Sequence, residues 1–357
     1  MVGRGPRSAV SLPVVRRPAP WLRGRSSWPW LVAIGLMVAV VVQLWPSLAG
    51  PPTTGVALVV AGDSFGSVDI DSGEWTNLAG ASDPSSVVVQ GSRVVALQQA
   101  GPGDLAPPVL TYGPERVERL GGADTVVAGP SGAGVWLMLD GVAGFRGSAT
   151  YSNAAGSWRT AIFPMPRRFE VVGAVTEGLL VMSGRDRDRR LTIWDPGNEL
   201  AVRRLGFVGS VLAVGGPLVT TTVPCWVGEC PMYVVDTRTA DRRQLAPPAG
   251  TVFSGRPVPS PDGSQIAAVV RRLSDGSAGL AVGTSDGSLL LAPDLDVQPG
   301  ATVVWAPGGW IAVPDSERSV VLWRAGESRQ VVLPDGTRLV GAGPAGIPGT
   351  LSTATDG

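Results

Sequence analysis

Residues 260–267 read SPDGSQIA, and this stretch decides the fold that the sequence predicts. Pro261 presets the backbone of a tight turn, and the Asp262-Gly263 pair supplies a side-chain acceptor and a residue that tolerates positive φ. An apolar, strand-forming run follows the turn at once. A similar stretch, WAPGGWIA, occupies residues 305–312. Both stretches therefore predict the same unit, in which a tight turn joins an inner strand to a second, apolar strand.

The same unit recurs along the chain. Its apolar strands are Ala57–Val60, Arg93–Gln98, Gly134–Leu139, Gly178–Met182, Gly216–Thr221, Gln265–Val270 and Trp310–Val313. Each unit then has a loop, another strand, a polar turn and a final strand. The polar turns follow one another in steps of 42, 40, 42, 41, 49 and 39 residues, counted from Asp71 through Gly113, Asn153, Asp195, Asp236, Ser285 and Arg324. Four strands in each step of about 40 residues are typical of a β-propeller.

The predicted fold class is therefore all-β, with a propeller of seven blades (six to eight are compatible) over residues 56–343. Inner strands are predicted at Val87–Val89, Thr125–Val127, Glu170–Val172 and Thr302–Val304. The first unit lacks its own inner strand. Thr337–Gly341 is expected to supply it and so close the ring, which removes exposed sheet edges. Residues 344–357 are predicted to form a disordered tail.

The SPDGSQIA stretch resembles the S-P-D-G-x-x-I/L-A turn of WD40-like and TolB-like propeller repeats, and residues 305–312 are similar to it. The other units share the period but not this motif. The resemblance implies a propeller fold. It implies no particular activity, because propellers serve many unrelated functions.

An apolar run near the N-terminus predicts a membrane anchor. Residues 28–45 read WPWLVAIGLMVAVVVQLW, and these 18 residues are close to the shortest length that spans a bilayer. Tryptophans lie near both ends, where indole rings settle at the water interface. Residues 28–48 are therefore predicted to form a transmembrane helix. A basic tail, residues 1–27, precedes it, and a linker, residues 49–55, follows it.

The charges around this helix predict its orientation. Residues 1–62 contain six Arg and no acidic residue, and all six Arg precede the apolar run. By the positive-inside rule the tail is cytoplasmic and the bulk of the chain is extracytoplasmic, held to the cell membrane by a single pass. The tail is expected to contact anionic lipid headgroups. A cleaved signal peptide is the alternative, since Ser47-Leu48-Ala49 offers a small-x-small cleavage pattern.

Composition excludes several classes of function. Beyond residue 62 the chain has 23 Arg against 29 acidic residues, so no nucleic-acid partner is expected. The chain has no His, which excludes Ser-His-Asp and Cys-His catalysis and His metal ligation. We therefore predict no catalytic residue, no cofactor and no metal site, and the chain is not expected to be an enzyme.

Two glycine-rich motifs have a structural interpretation. Gly62–Gly66 matches G-x-S-x-G, but no helix pattern follows and no His is available as a base, so the segment is predicted to be a hairpin turn. Residues 341–346 match G-x-G-x-x-G. A dinucleotide site requires a helix directly after that motif, and the sequence IPG that follows cannot form one.

Cys225 and Cys230 are the only cysteines. Two cysteines without His cannot complete a structural zinc site. In an oxidising compartment they are predicted to form a disulfide that closes the intervening loop.

The longest loops are predicted to share one face of the propeller. They join the second and third strands of the blades, and they include the charged run RDRDRR at residues 185–190, for which a solvated hairpin loop is the alternative interpretation. Loops on a rigid scaffold often carry function. The candidate recognition residues on this face are Arg146, Arg185, Arg187, Arg189, Trp226 and Glu229. Replacing Trp226 and Arg187 with Ala is expected to weaken partner binding without lowering thermal stability.

The leading hypothesis is thus a membrane-anchored, non-catalytic interaction or sensor module that binds a protein or a cell-envelope ligand. The alternative is a carboxylate-based propeller enzyme of the glycosidase or lyase type that acts on cell-envelope material. Such an enzyme needs two acids about 5–10 Å apart in a central pocket. A central channel lined with Val, Gly and Ser would argue against it.

Overall fold

The computed structural model describes residues 54–78, 83–113, 117–130, 134–139, 147–153, 162–165, 169–185, 188–198, 200–225 and 230–345. These residues belong to one compact unit that begins at Thr54. The predicted tail (1–27) and transmembrane helix (28–48) lie outside the described residues. Within the described part, no helix is long and apolar enough to cross a membrane. The anchor therefore stays a prediction.

The described residues form seven antiparallel sheets. The first contains β1 (Val56–Gly62), β2 (Gly66–Asp69), β3 (Trp75–Asn77) and the last strand of the chain, β29 (Thr337–Pro344). The second contains β4 (Ser86–Gln90), β5 (Arg93–Leu97), β6 (Pro108–Tyr112) and β7 (Val117–Gly122). The third contains β8 (Thr125–Ala128), β9 (Gly134–Leu139), β10 (Gly147–Asn153) and β11 (Ile162–Met165). The fourth contains β12 (Glu170–Val175), β13 (Gly178–Ser183), β14 (Arg190–Asp195) and β15 (Leu200–Phe207).

Three further sheets follow in the C-terminal half. The fifth contains β16 (Val211–Gly215), β17 (Leu218–Thr222), β18 (Met232–Asp236) and β19 (Arg242–Gln244). The sixth contains β20 (Thr251–Phe253), β21 (Val258–Pro259), β22 (Gln265–Arg272), β23 (Ala278–Thr284) and β24 (Leu289–Asp296). The seventh contains β25 (Val304–Ala306), β26 (Trp310–Pro314), β27 (Ser319–Arg324) and β28 (Glu327–Val332), with a 3-10 turn at Pro307–Gly309 before β26.

The inner strands of the sheets form a closed ring. The strands β4, β8, β12, β16 and β21 contact one another in chain order, and β29 contacts both β25 and β4. Between β21 and β25, the Nε1–H of Trp305 donates to the carbonyl oxygen of Val258 at 2.9 Å. Sheets arranged around a ring of inner strands make a β-propeller. The predicted all-β propeller fold is confirmed.

The strand β29 closes the first sheet, as the sequence predicts. It pairs antiparallel with β1 from Val56 opposite Pro344 to Gly62 opposite Thr337, with a bulge between Val59 and Val60. The strand is longer than the predicted Thr337–Gly341 segment. The inner strand of the first sheet is therefore the last strand of the chain, whereas the other three strands of this sheet are the first three of the domain.

The second strand of each sheet carries much of the core. In β1 and β22, for example, Leu58 and Ile266 are fully buried. Neighbouring sheets cover both faces of these strands, so their sequences are continuous apolar runs and do not alternate with polar residues. Trp194 is 2% exposed, and Trp305 and Trp323 pack against a buried cluster between the sixth and seventh sheets.

The sixth sheet has an inner strand in two pieces. Both β20 and β21 pair with β22, at Thr251–Phe253 and at Val258–Pro259. Between them the chain bulges, and the N–H groups of Ser254 and Gly255 both donate to the carbonyl oxygen of Val269. These extra residues account for the long step of the repeat before Ser285.

Candidate functional site

The connections between strands lie at two ends of the domain, because the chain reverses at every strand. We call one end the loop face: it carries the loops between second and third strands and the connections from each outer strand to the next sheet. The other end, the turn face, carries the remaining turns. The chain enters the domain at the turn face, where the N–H groups of Thr54 and Gly55 donate to the Asp71 carboxylate at 2.7 and 2.9 Å. The loop face is thus the end opposite to the point where the chain enters.

The loop face carries the predicted disulfide. Cys225 and Cys230 are bonded, with their Cα atoms 5.7 Å apart, in the loop between β17 and β18. Residues 226–229, which include the candidates Trp226 and Glu229, lie outside the described residues. The predicted disulfide is therefore confirmed.

The described part of the charged run lies in the neighbouring sheet. Arg185 is exposed and Arg189 is half-buried in the loop between β13 and β14. The Arg189 guanidinium lies 3.9 Å from the Glu170 carboxylate and 3.5 Å from the carbonyl oxygen of Gly209. The structure therefore brings Arg185 and Arg189 to the same face as the disulfide. The candidates Arg146 and Arg187 lie outside the described residues.

Exposed apolar side chains are a feature of the loop face that the sequence interpretation missed. Eight large apolar side chains are exposed among the described residues. Five of them lie in loops of this face or at strand ends that reach it: Leu105, Leu139, Phe207, Leu273 and Val332. The other three lie on β15 and β24, toward the turn face: Leu200, Val202 and Leu290. A signal existed in the sequence, because leucines stand alone in the polar loops GPGDLAPP and RRLSDGS.

Polar groups surround these apolar side chains. Near Leu105, the Asp104 carboxylate accepts from the N–H of Gly101 at 3.0 Å and from Arg119 at 3.2 Å. The Gly101 hydrogen bond and then the Arg119 guanidinium hold the pKa of Asp104 below its ordinary value. The Arg190 guanidinium lies 4.8 Å from the centre of the Phe207 ring. Leu105 and Phe207 therefore each have a charged neighbour at the loop face.

An axial channel of about 690 Å³ lies between the inner strands. All seven inner strands contribute to its wall, and 12 of its 25 described lining residues are Val. None of these 25 residues is ionisable. The wall thus offers no general acid, general base or charged nucleophile among the described residues.

Glycines let the inner strands converge on the channel. A Cβ on Gly215 of β16 would lie 2.3 Å from the carbonyl oxygen of Pro259 in β21. A Cβ on Gly341 of β29 would lie 2.7 Å from a methyl carbon of Val89 in β4. Only a residue without a side chain fits at these two contacts, and larger residues would widen the ring.

The two glycine-rich motifs lie in β structure. Gly62 ends β1 and Gly66 begins β2, so the G-x-S-x-G match is the predicted hairpin turn, with Phe65 fully buried. The G-x-G-x-x-G match begins inside β29, where Gly341 and Gly343 pair with Val59 and Ala57.

No protein-family model matches the chain, and no curated protein does so. Solved structures do resemble its fold. The β-propeller domain of the trilobed protease from Pyrococcus furiosus is 11% identical, with 70% of this chain and 83% of that chain covered and a TM-score of 0.51. An oligogalacturonate lyase in complex with manganese is 11% identical, with 71% and 78% covered and a TM-score of 0.51. TolB from Acinetobacter baumannii is 12% identical, with 88% and 72% covered and a TM-score of 0.45.

At these identities the likeness concerns the fold. The proteins matched include a protease domain and a lyase, so they share an architecture and not one activity.

Proposed function

We propose that the chain is a membrane-anchored, extracytoplasmic β-propeller of seven blades, one for each sheet, and that it acts as a non-catalytic interaction or sensor module. The observation that carries this proposal is that five of the eight exposed large apolar side chains among the described residues lie at the loop face. We propose that they belong to one binding surface, because exposed apolar surface with a polar rim marks sites of protein interaction. The partner we propose is a protein or another cell-envelope component, held by Leu105, Phe207 and Leu273 with polar contacts around them.

The axial channel supports the non-catalytic part of the proposal. A glycosidase or a lyase that relies on carboxylates needs paired acids in its pocket. The 25 described residues of the channel wall include no Asp or Glu. Asp262, for example, serves a turn, since its carboxylate accepts from the N–H of Ser264 at 3.0 Å.

The anchor and the disulfide support the location. Residues 28–48 provide the apolar length for one membrane pass, with all of the nearby positive charge on the N-terminal side. A disulfide between Cys225 and Cys230 is stable in an oxidising compartment outside the cytoplasm. Arg146, Arg185, Arg187, Arg189, Trp226 and Glu229 remain part of the proposed recognition face.

A crosslinking capture from native membranes tests the proposal. Membranes that contain the full-length chain are washed with alkaline carbonate, crosslinked, solubilised and purified on a tag. We expect the chain to remain in the washed membranes and to carry a crosslinked partner. The double substitution Leu105→Asp with Leu273→Asp should lower the yield of this partner about tenfold, because it places charges in the apolar contact.

The matched control is Leu200→Asp with Leu290→Asp, which alters equally exposed leucines toward the turn face. It should leave capture unchanged. Loss of the chain into the carbonate wash would contradict the anchor. Equal capture by both double variants would contradict the recognition face.

A further inference from the structure

The surface around Phe207 at the loop face has an excess of positive charge. Phe207 ends β15 and is 48% exposed, and the Arg190 guanidinium lies 4.8 Å from the centre of its ring. From the fifth sheet, the Nη1 group of Arg242 donates to the carbonyl oxygen of Phe207 at 3.1 Å. The loop before β14 adds Arg185, which is exposed, and Arg189, which is half-buried. Four arginines therefore belong to the strands and the loop that meet near this ring.

Few acidic groups neutralise these arginines. The Arg189 guanidinium lies 3.9 Å from the Glu170 carboxylate, whose side chain is 61% exposed, and Asp188 is exposed in the same loop. Among the described residues, the other three arginines have no carboxylate within 4.0 Å. Beyond residue 62 the chain has 23 Arg against 29 acidic residues. This surface is therefore positive in a domain that is negative as a whole, and such a local charge attracts anionic partners.

The buried charge of Arg242 adds to this positive surface. Its guanidinium lies 3.9 Å from the centre of the Tyr233 ring, and its Nε and Nη2 atoms are buried without a hydrogen-bond partner in the described part of the chain. A buried cation without a counter-charge is destabilising, and its field is screened less than that of an exposed charge. A partner cannot reach these buried atoms. Arg242 would thus act on a bound anion through its field, whereas Arg185 and Arg190 are exposed and can pair with it directly.

The ring and the charges together define the chemistry of the partner. Guanidinium groups pair with carboxylates through charge-assisted hydrogen bonds, often two at a time. The half-exposed ring of Phe207 offers an apolar contact beside them. A protein segment in which Asp or Glu flank an apolar residue meets both requirements. A polyphosphate would meet only the requirement for charge.

We propose that the partner docks on the loop face through an acidic segment, whose carboxylates pair with Arg185 and Arg190 and whose apolar residue packs on Phe207. This inference rests on the proposed function and adds to it the chemistry of the partner. Because salt screens pairs of exposed charges, the contact weakens as the ionic strength rises.

Two synthetic peptides test this chemistry on the full-length chain in a neutral detergent. The acidic peptide consists of two Glu-Glu-Leu-Glu-Glu units, and its neutral twin has Gln in place of every Glu. Both carry the same uncharged dye, and fluorescence polarisation measures their binding. We expect the wild-type chain to bind the acidic peptide about tenfold more tightly than the neutral one at low salt, and to lose this preference at about 0.5 M NaCl.

The double substitution Arg185→Gln with Arg190→Gln should lower affinity for the acidic peptide about tenfold and leave affinity for the neutral peptide unchanged. The matched control is Arg243→Gln with Arg271→Gln, which removes two exposed arginines of the fifth and sixth sheets. It changes the net charge equally and should keep the preference.

Three results would overturn the proposal. They are equal binding of both peptides by the wild type, an acidic preference that survives in the Arg185 and Arg190 variant, and tighter binding of a polyphosphate of similar charge than of the acidic peptide.

Partner capture separates this proposal from the recognition face itself. Capture should fall severalfold in the Arg185 and Arg190 variant at low salt, and wild-type capture should fall to the same level at about 0.5 M NaCl. Capture that depends on Leu105 and Leu273 but not on salt or on these arginines would overturn the acidic segment and leave the recognition face standing. If no partner were captured at all, the proposed function would fail, and the two peptides would still decide the charge chemistry of this surface.

Discussion

At the scale of single residues, aspartates hold the turns of this domain together. In the turn between β23 and β24, the Asp286 carboxylate accepts from the hydroxyls of Thr284 and Ser288, each at 2.6 Å, and from the N–H of Ser288 at 3.0 Å. The Ser288 hydroxyl, then the Thr284 hydroxyl, lower the pKa of Asp286 from 3.8 to about 2. The ionised carboxylate therefore stabilises the folded state at pH values above its ordinary pKa.

This arrangement predicts a pH dependence of stability. The contribution of Asp286 should be complete above about pH 4 and should be lost as the pH falls to about 2, because the folded state then has to bind the proton. Asp286→Asn should therefore lower the melting temperature at neutral pH, and its difference from the wild type should shrink over that acidic range. Thermal unfolding followed at several pH values measures this. A difference that stays constant from pH 6 to about pH 2 would contradict the assignment.

Some residue-scale features were predictable from the sequence. The Asp-Gly turns could be predicted, since their chemistry is local. The exposed Leu105 and Leu273 had a local signal, an apolar residue alone in a polar loop, and the sequence also predicted that loops of this type share one face.

At the scale of elements, β29 is the strand on which closure of the ring depends. Leu339 and Ala342 of this strand pack against the buried cluster that contains Leu58 and Trp310. Removing residues 337–357 would expose the edge of β1 and lose about 3–5 kcal/mol of apolar burial, a large part of the stability of a typical domain. We expect this truncated chain to melt at a much lower temperature and to self-associate, as an uncovered strand edge does.

The matched control is removal of residues 346–357, which keeps the whole of β29. Its melting temperature and its elution in size-exclusion chromatography should match those of the full-length chain. If the longer truncation were as stable and as monomeric as the control, the closure would not contribute to stability.

The elements themselves were largely predictable. All seven second strands lie within a few residues of the apolar runs in the sequence, because burial on both faces leaves a continuous apolar signal. The two-piece inner strand β20 and β21 was not predicted. The sequence indicates it only through the 49-residue step of the repeat. The length of a step does not show in which strand or loop the additional residues lie.

At the scale of the whole molecule, we propose a closed propeller with a membrane anchor and one recognition face. The fold follows from the repeat, and the structure confirms it. The binding surface follows from which loops share an end of the domain. Which loops share an end depends on the direction of the strands in every sheet. A single sequence indicates these directions only after its repeats have been aligned with one another.

Site-specific photo-crosslinking in living cells shows whether the loop face binds the partner. A photoreactive amino acid replaces Leu105, Phe207 or Leu273 on the loop face, and Leu200 or Leu290 toward the turn face, one position at a time. We expect crosslinked adducts of higher mass from the first three positions and none from the other two. Adducts from Leu200 or Leu290, with none from the loop face, would contradict it.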